Sequence, residues 1–100
     1  EIAAAILERT AGAKTYLTFD IDCLDPAYAP GTGTPVAGGP SSAKMLSVLR
    51  QLEGLDIVGA DVVEVAPAYD HADITAIAGA TVAMHYLGLL ARRKAAAGRS

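Results

Sequence analysis

The sequence predicts an α/β fold with a parallel β-sheet, and three observations lead to that class. Hydrophobic residues make up 52% of the 100 residues, whereas aromatic residues make up 5%. A composition rich in Ala, Val, Leu and Ile is typical of helices packed on a parallel sheet that is buried on both faces. Two apolar strand-like runs are separated by an amphipathic helix-like run. Because strand, helix and strand in that order form a right-handed βαβ unit, the strands should be parallel.

The first part of the chain is predicted to hold one helix, one strand and one long loop. Apolar residues recur at helical spacing over residues 1–11, and Gly12 is a stop signal for that helix. A strand over residues 16–21 follows, because its bulky side chains fit a buried pleated surface. The loop over residues 23–40 carries four of the five prolines. A loop of this length inside a compact domain is usually functional.

The second part of the chain is predicted to add a helix, a strand and a long final helix. Ser41 and Ser42 are natural N-caps for the first of these helices. A strand over residues 55–65 is apolar enough to be buried on both faces. Asp70 is expected to cap a final helix over about residues 72–95.

The final helix raises the question of a membrane span. Residues 74–91 carry no formal charge when His85 is neutral, and a transmembrane helix has this length. Because the run contains Ala, Gly, Thr and His, it is only mildly hydrophobic, and we interpret it as a buried helix of an α/β protein. His85 lies in its apolar stripe and is interpreted as a core or interface residue. No membrane partner is expected.

Two carboxylates lie where the first strand gives way to the long loop. Side chains two apart on a strand point the same way, so Asp20 and Asp22 would face the crevice at the carboxyl end of the sheet. Oxygen ligands there suit Mg²⁺, Ca²⁺ or Mn²⁺. The alternative is a turn in which the carboxylates bond to nearby backbone N–H groups. Glu64, near the end of the second strand, should lie on the same rim.

The net charge indicates which class of partner to expect, and the cysteine content indicates the cellular compartment. The formal net charge of −3 and the pI near 5.1 argue against a nucleic-acid partner and suit a small cationic substrate. Cys23 is the only cysteine, so an internal disulfide is impossible and a cytoplasmic location is expected. Acidic neighbours should raise the pKa of this thiol, and a buried, inert side chain is expected.

Two strands and three helices do not complete a sheet. Both sheet edges would expose unpaired backbone, and the apolar faces would be only partly covered. A chain of 100 residues forms one domain at most. We therefore expect residues 1–100 to be a piece of a larger domain, or to need further strands from a partner.

Two motifs together resemble the C-terminal part of the ureohydrolase family, and within it the agmatinases most. Residues 19–35 read Phe-Asp-Ile-Asp-x-Leu-Asp-Pro-x-x-Ala-Pro-Gly-Thr-Gly-Thr-Pro. Residues 59–67 read Gly-Ala-Asp-Val-Val-Glu-Val-Ala-Pro, and Tyr69 and Asp70 follow. The resemblance implies that residues 1–100 form the C-terminal βαβα part of a three-layer α/β/α arginase-like fold, with the N-terminal part of that single domain absent.

The resemblance also implies a site that holds two Mn²⁺ ions about one hydroxide. By that resemblance Asp20 bridges both metals and Asp22 binds the second one. Glu64 matches the acid that pairs with the substrate guanidinium, and Thr34 matches a loop threonine close to it. The implied reaction is hydrolysis of agmatine to putrescine and urea. Another ureohydrolase, such as a guanidinobutyrase or an arginase, is the alternative.

Family members that look like this chain have further metal ligands and a proton-transfer histidine, all upstream of the residues present here. Neither His71 nor His85 stands at a position that matches those motifs, so neither is given those roles. The isolated chain is therefore expected to be inactive. The second hypothesis is a truncated, non-catalytic module that only assembles with intact subunits. The resemblance further implies a homo-oligomer, either a trimer or a hexamer.

Overall fold

The computed structural model describes residues 1–98 and has alternating helices and strands in that part of the chain. The helices and strands in chain order are α1 (Ile2–Thr10), β1 (Lys14–Asp20), α2 (Ser42–Arg50), β2 (Asp56–Val63) and α3 (Ile74–Gly98). Short 3₁₀ helices cover Ile21–Cys23, directly after β1, and Pro67–Tyr69, after β2. The predicted order of elements is confirmed, with boundaries shifted by one to three residues.

The two strands pair in parallel, as the βαβ pattern predicts. Lys14 pairs with Asp56 at one end of the ladder, and Asp20 pairs with Val63 at the other. The register shifts between Thr15 and Tyr16, because Tyr16 pairs with Gly59. A Cβ atom at Gly59 would lie 2.8 Å from the Tyr16 ring. Glycine at this position therefore lets the ring lie directly over the backbone of β2.

The helix caps follow the sequence signals. The Ser41 hydroxyl accepts a hydrogen bond of 3.0 Å from the Lys44 N–H, so the predicted N-cap of α2 is confirmed. Gly12, which follows α1, has a φ of 74°, a conformation that glycine adopts without steric cost. The chain can therefore turn from α1 directly into β1.

The core lies between the helices and one face of the sheet. Phe19 on β1 and Ile57 on β2 are buried together with residues of all three helices. The buried hydrophobic residues of this core are Ala3, Phe19, Ile21, Leu24, Ala29, Val48, Leu49, Leu52, Leu55, Ile57, Val82, Tyr86 and Leu89. Burial of apolar surface of this kind is the dominant favourable term in folding.

The other face of the sheet is open within the described residues. Tyr16 is 59% exposed and Val58 is 62% exposed. The expectation that the second strand is buried on both faces is thus wrong for this segment, because its helices cover one face only. On the open face, the Tyr16 hydroxyl donates a hydrogen bond of 2.8 Å to Asp61, and Thr18 also donates to Asp61. The Asp61 hydrogen bond, partial burial and the Asp61 charge, in that order, raise the pKa of Tyr16.

Helix α3 is long and apolar. Its Ile74–Ala96 part has 23 residues and a mean hydropathy of 1.6, so by length and composition alone it could cross a membrane. Val82, Tyr86 and Leu89 face the core, whereas Ile77 and Leu87 are more than 60% exposed. The interpretation of this run as a buried helix therefore holds for one stripe of α3 only, because the described residues cover a single side of the helix.

Candidate metal and substrate site at the carboxyl rim

The carboxyl ends of the two strands form an acidic rim. Strand β1 ends at Asp20, which pairs with Val63, the last residue of β2. Glu64 directly follows Val63 in the chain. Asp22 lies two residues beyond Asp20. The prediction that Asp20, Asp22 and Glu64 share one rim of the sheet is confirmed, since parallel strands bring their carboxyl ends together.

Asp20 is the N-cap of the 3₁₀ helix Ile21–Cys23. Its Oδ1 accepts a hydrogen bond of 2.9 Å from the Asp22 N–H. The strand therefore ends one residue earlier than predicted, and the argument that Asp20 and Asp22 alternate along one strand is wrong. The alternative, a carboxylate that caps a turn, describes Asp20 correctly. A carboxylate has about four acceptor positions on its two oxygens, so this single bond leaves Asp20 able to bind a cation.

Asp22 has one satisfied oxygen and one unsatisfied oxygen. Its Oδ2 accepts a hydrogen bond of 2.6 Å from the hydroxyl of Thr34. Its Oδ1 is buried and has no hydrogen-bond partner among the described residues. A buried polar atom without a partner costs about 1–3 kcal/mol, and more when the group is charged, so such atoms are rare in folded proteins. A bound cation would remove that cost.

The rim supplies part of the ligand set that a divalent metal ion needs. Asp20 and Asp22 supply hard carboxylate oxygens, which suit Mn²⁺ and Mg²⁺. Among residues 1–98, no group of three or more His, Cys, Asp or Glu side chains is placed to hold a metal ion. These residues therefore fit a divalent cation as part of its ligand shell, and further donors have to come from outside them.

Thr34, predicted to lie near the substrate, donates its hydroxyl hydrogen bond to Asp22. Its side chain is exposed, and its N–H donates a hydrogen bond of 3.3 Å to the hydroxyl of the buried Thr32. With its hydroxyl bonded to Oδ2 of Asp22, Thr34 fixes the orientation of that carboxylate. The structure thus brings Thr34 and Asp22 together across the long loop.

Asp25 holds the two ends of the long loop together, a role that the sequence reasoning missed. Its side chain accepts hydrogen bonds of 2.9 Å from the Ala27 N–H and 2.8 Å from the Gly38 N–H. The Ala27 bond, followed by the Gly38 bond, lowers the pKa of Asp25. The Asp25-Pro26 pair is a turn signal that marks such a carboxylate, but the contact with Gly38 depends on the fold.

Asp70 caps α3, as predicted, and it does so with both carboxylate oxygens. Oδ1 accepts hydrogen bonds of 2.9 Å from the N–H groups of His71 and Thr75, and Oδ2 accepts one of 3.0 Å from Ala76. Partial burial raises the pKa of Asp70, but the hydrogen bonds from Thr75, Ala76 and His71 outweigh it and lower the pKa to about 2.

Gly31 joins the long loop to this capped helix end. Its N–H donates a hydrogen bond of 2.6 Å to the hydroxyl of the fully buried Thr75, and its carbonyl accepts one of 2.7 Å from Ala66. A Cβ atom at Gly31 would lie 2.7 Å from the Cβ of Asp70. This junction positions the loop that carries Thr34 against the end of β2 and the start of α3.

Glu64 leaves the strand in an unusual conformation. Its φ is 71°, in the left-handed region, which costs a residue other than glycine about 1–2 kcal/mol. The side chain is exposed, and within the described part of the chain it makes no hydrogen bond or ion pair. Strain of this kind concentrates at functional sites. Among the described residues, no cationic side chain pairs with Glu64, so an ion pair does not give it a purely structural role.

The remaining candidates lie outside the rim site or differ from expectation. His85 bonds to Thr81 and Arg50, away from the acidic rim, whereas His71 is exposed beside Asp70. Cys23 is exposed, so the expectation of a buried thiol is wrong. Partial burial and then the charges of Asp20 and Asp22 raise its pKa, in the predicted direction.

Comparison with known proteins places this geometry in context. The model of the arginase family matches residues 1–88. An agmatinase of Neisseria meningitidis serogroup C (strain 053442) is 60% identical over 94 residues, which are 94% of this chain and 31% of that relative. The chain therefore spans about a third of the length of that relative.

Solved structures give the same result for the fold. The crystal structure of a hypothetical agmatinase from Burkholderia thailandensis is 63% identical, with a TM-score of 0.86 over 93% of this chain and 31% of that one. Proclavaminate amidino hydrolase from Streptomyces clavuligerus is 43% identical, with a TM-score of 0.89 over 92% of this chain and 31% of that one. The predicted fold class, part of an α/β arginase-like fold with a parallel sheet, is confirmed.

Proposed function

The chain belongs to the arginase family, and from that premise we propose that it is the C-terminal segment of an agmatinase. The complete enzyme would hydrolyse agmatine to putrescine and urea with two manganese ions. The proposal is supported by the identity to agmatinases across 94% of the chain. The family membership alone supports the coarser statement, that the segment belongs to a ureohydrolase.

One observation of this structure carries the proposal further than the comparisons do. Oδ1 of Asp22 is buried without a hydrogen-bond partner in the described residues, while Oδ2 is held at 2.6 Å by Thr34. A carboxylate that is fixed on one side and unpartnered on the other is suited to a cation. Its position at the carboxyl rim of a parallel sheet is where α/β folds bind ligands.

Asp20 and Asp22 are the residues that would hold the metal ions. By the resemblance to the family, Asp20 would serve both ions and Asp22 the second, and the single hydrogen bond that Asp20 accepts, from the Asp22 N–H, leaves it acceptor positions for that role. Bound divalent ions supply Lewis acidity, which makes water a nucleophile near neutral pH. Thr34 contributes by holding Asp22 in one orientation.

Glu64 would bind the guanidinium group of the substrate. A carboxylate and a planar guanidinium form two parallel charge-assisted hydrogen bonds, which fix the plane of the guanidinium. Fixing that plane presents the central carbon to attack from one direction and lowers the entropic part of the barrier. The carboxylate of Glu64 is exposed on the rim and has no hydrogen-bond or ion-pair partner within residues 1–98, which supports this assignment.

The guanidino group is the part of the substrate that this segment would recognise. Two relatives that are named for different substrates, an agmatinase and a proclavaminate amidino hydrolase, both contain a segment like this one. Residues that select the rest of the substrate would then lie mainly outside it. A guanidinobutyrase or an arginase is the alternative within the family.

We further propose that the complete protein is a cytoplasmic homo-oligomer, either a trimer or a hexamer. Ile77 is 62% exposed and Leu87 is 61% exposed in this segment, so the complete protein has to cover these side chains of α3 with the rest of its own domain or with a neighbouring subunit.

The test is urea release by the full-length protein after loading with Mn²⁺. Agmatine, arginine and 4-guanidinobutanoate are supplied separately, and kcat/KM for agmatine is expected to be the highest of the three. The 100-residue chain, assayed in parallel, is expected to release no urea above a metal-only control, because its donors complete no metal shell. A higher kcat/KM for either of the other two substrates would reassign the enzyme within the family.

A further inference from the structure

A cleft between α2 and α3 lies at the opposite end of the sheet from the acidic rim. Arg50 is in the last turn of α2, and the chain runs from there to the start of β2, so this end is the amino end of the strands. The cleft has a volume of about 270 Å³. Its lining residues are Arg50, Met84, His85, Gly88, Leu89 and Arg92.

Two guanidinium groups border this cleft without a carboxylate to neutralise them. Arg93 pairs with Asp56 at 3.6 Å and also donates to the carbonyls of Gly54 and Leu55. No comparable ion pair involves Arg50 or Arg92 in the part of the chain that the structure describes. Arg50 is placed to stabilise the C-terminal dipole of α2, but Arg92 lies six residues before the end of α3, so the same explanation does not apply to it.

His85 orients one of these guanidinium groups. Its Nε2 lies 3.3 Å from the side chain of Arg50, and its Nδ1 lies 2.9 Å from the carbonyl of Thr81. A guanidinium only donates hydrogen bonds, so Nε2 of His85 has to accept, and the proton is on Nδ1, which donates to Thr81. Both ring nitrogens are therefore used, and Arg50 is held at the side of the cleft.

The floor of the cleft is apolar. Leu89 is buried, with 5% exposed, and Met84 is 66% exposed. Nothing lies within 4 Å of the position where Gly88 would carry a Cβ atom. The absent side chain at Gly88 thus leaves space beside the apolar floor, directly next to the two cations.

We propose that this cleft binds a small amphipathic carboxylate, with its carboxylate group between Arg50 and Arg92 and its short alkyl chain against Met84, Gly88 and Leu89. Guanidinium groups bind carboxylates through paired, charge-assisted hydrogen bonds. The volume lies just below the range of about 300–1,000 Å³ that is usual for drug-sized ligands, so the ligand is a short-chain acid. This inference stands independently of the proposed function.

The ligand chemistry is tested by isothermal titration calorimetry of the full-length protein. Hexanoate, acetate, hexylammonium and 1-hexanol are the four probes, at equal concentrations and low ionic strength. Hexanoate is expected to bind most tightly, because it alone combines the anion with the apolar chain. Binding of 1-hexanol or hexylammonium as tight as that of hexanoate, or no binding of hexanoate, would overturn the proposal.

The location is tested with three variants, each checked by circular dichroism. Arg92→Met removes one cation, and Gly88→Leu fills the cleft at an open helical position. Arg92→Met is expected to weaken hexanoate binding by about tenfold or more, the effect of losing one hydrogen bond to a charged group, and Gly88→Leu is expected to weaken it because the new side chain occupies the space of the alkyl chain. The control Lys94→Met removes the same charge from α3 outside the cleft and should bind as the unmodified protein does. Equal weakening in Lys94→Met, or unchanged binding in both cleft variants, contradicts the proposal.

Discussion

Asp22 and Asp70 are two carboxylates of the same βαβα segment that differ in how completely the fold satisfies them. Asp70 accepts three backbone hydrogen bonds, on both of its oxygens, from the start of α3. Asp22 accepts no backbone hydrogen bond in the described residues: one oxygen accepts from the hydroxyl of Thr34, and the other is buried without a partner there. The described residues stabilise the charge of Asp70 through these hydrogen bonds, whereas they leave one oxygen of Asp22 without a partner, which a bound cation would supply.

The difference separates a carboxylate that maintains the fold from one that the fold presents to a ligand. Removing the charge of Asp70 should cost stability, and removing that of Asp22 should cost metal binding and activity. The same contrast applies to glycines, since Gly31 lies in close contact with Asp70 and Gly33 faces open space.

The largest effect is expected for Asp20→Asn and Asp22→Asn in the full-length protein. Asn at position 20 can still accept the hydrogen bond from Asp22, so the turn should form, but the anionic ligand is lost. Asp20→Asn should lose both manganese ions and Asp22→Asn one, and kcat/KM should fall by more than about a hundredfold, the upper limit for residues that merely support ligands. Metal analysis and steady-state kinetics measure the two effects.

The control for these variants is the melting temperature of the metal-free protein. It should not fall in Asp22→Asn, because the unmodified carboxylate is not fully satisfied without a cation and its charge therefore does not stabilise the metal-free fold. Retention of as much manganese in Asp20→Asn as in the unmodified protein would exclude the bridging role.

Glu64→Gln is expected to lower kcat/KM by about one to a few orders of magnitude while metal content and stability stay the same. One hydrogen bond to a charged partner contributes about 1.5–3 kcal/mol, and a misplaced guanidinium carbon lowers kcat as well. Glu53→Gln, at another exposed position, is the matched control. A lower melting temperature with normal kinetics would mean that Glu64 is structural.

Gly31→Ala should destabilise the protein by about 1–3 kcal/mol, the usual cost of forcing an extra methyl group into a packed site. The added Cβ would lie 2.7 Å from the Cβ of Asp70 and 2.9 Å from its Cα. Gly33→Ala, two residues away in the same loop, has nothing within 4 Å and should be neutral or slightly stabilising. Denaturant unfolding of the two variants measures the difference between their free energies of unfolding. Equal values would show that the contact between Gly31 and Asp70 relaxes to accommodate the extra methyl group.

Asp70→Asn is expected to flatten the acid dependence of stability, the smallest of the four effects. The pKa of Asp70 is lowered from 3.8 to about 2 in the folded state, so its contribution is fully present above the unfolded value and is lost as the pH falls through 2. Melting curves between about pH 5 and 2 should therefore fall less steeply in Asp70→Asn. Asp73→Asn, an exposed neighbour, is the control. The same slope in both variants would contradict the assignment.

The elements that depend on local pattern were predictable from the sequence. The alternation of strand, helix and strand gave the parallel pairing, and the caps at Ser41 and Asp70 follow from residue type and position. The shared rim of Asp20 and Glu64 follows directly from parallel pairing. These features need no knowledge of distant contacts.

The turn after β1 explains two wrong expectations. A 3₁₀ helix has three residues per turn, so Ile21 and Leu24 lie on the same side, and both are buried, with 0% and 2% exposed. Cys23, between them, therefore points outward, and Asp22 leaves the direction that a strand would give it. The sequence fits both this turn and a strand that continues for two more residues. In the structure, the hydrogen bond from the Asp22 N–H to the Asp20 side chain stabilises the turn.

The contacts across the long loop were not predictable for a different reason. The bonds from Gly38 to Asp25, from Thr34 to Asp22 and from Gly31 to Thr75 join residues 12 to 44 positions apart. No local pattern specifies such distances. The positive φ of Glu64 is likewise imposed by the surrounding structure, and no local pattern specifies it.

The open sheet face gives this segment a built-in optical probe. The 100 residues contain no tryptophan and four tyrosines, and the Tyr16 hydroxyl donates to Asp61 at 2.8 Å while its ring is 59% exposed. Emission from a tyrosine bonded to a carboxylate is quenched, and it changes when the ring is transferred out of water. Titrating the segment with a protein that covers this face should therefore change the tyrosine fluorescence, which Tyr16→Phe would assign to this ring without any external label.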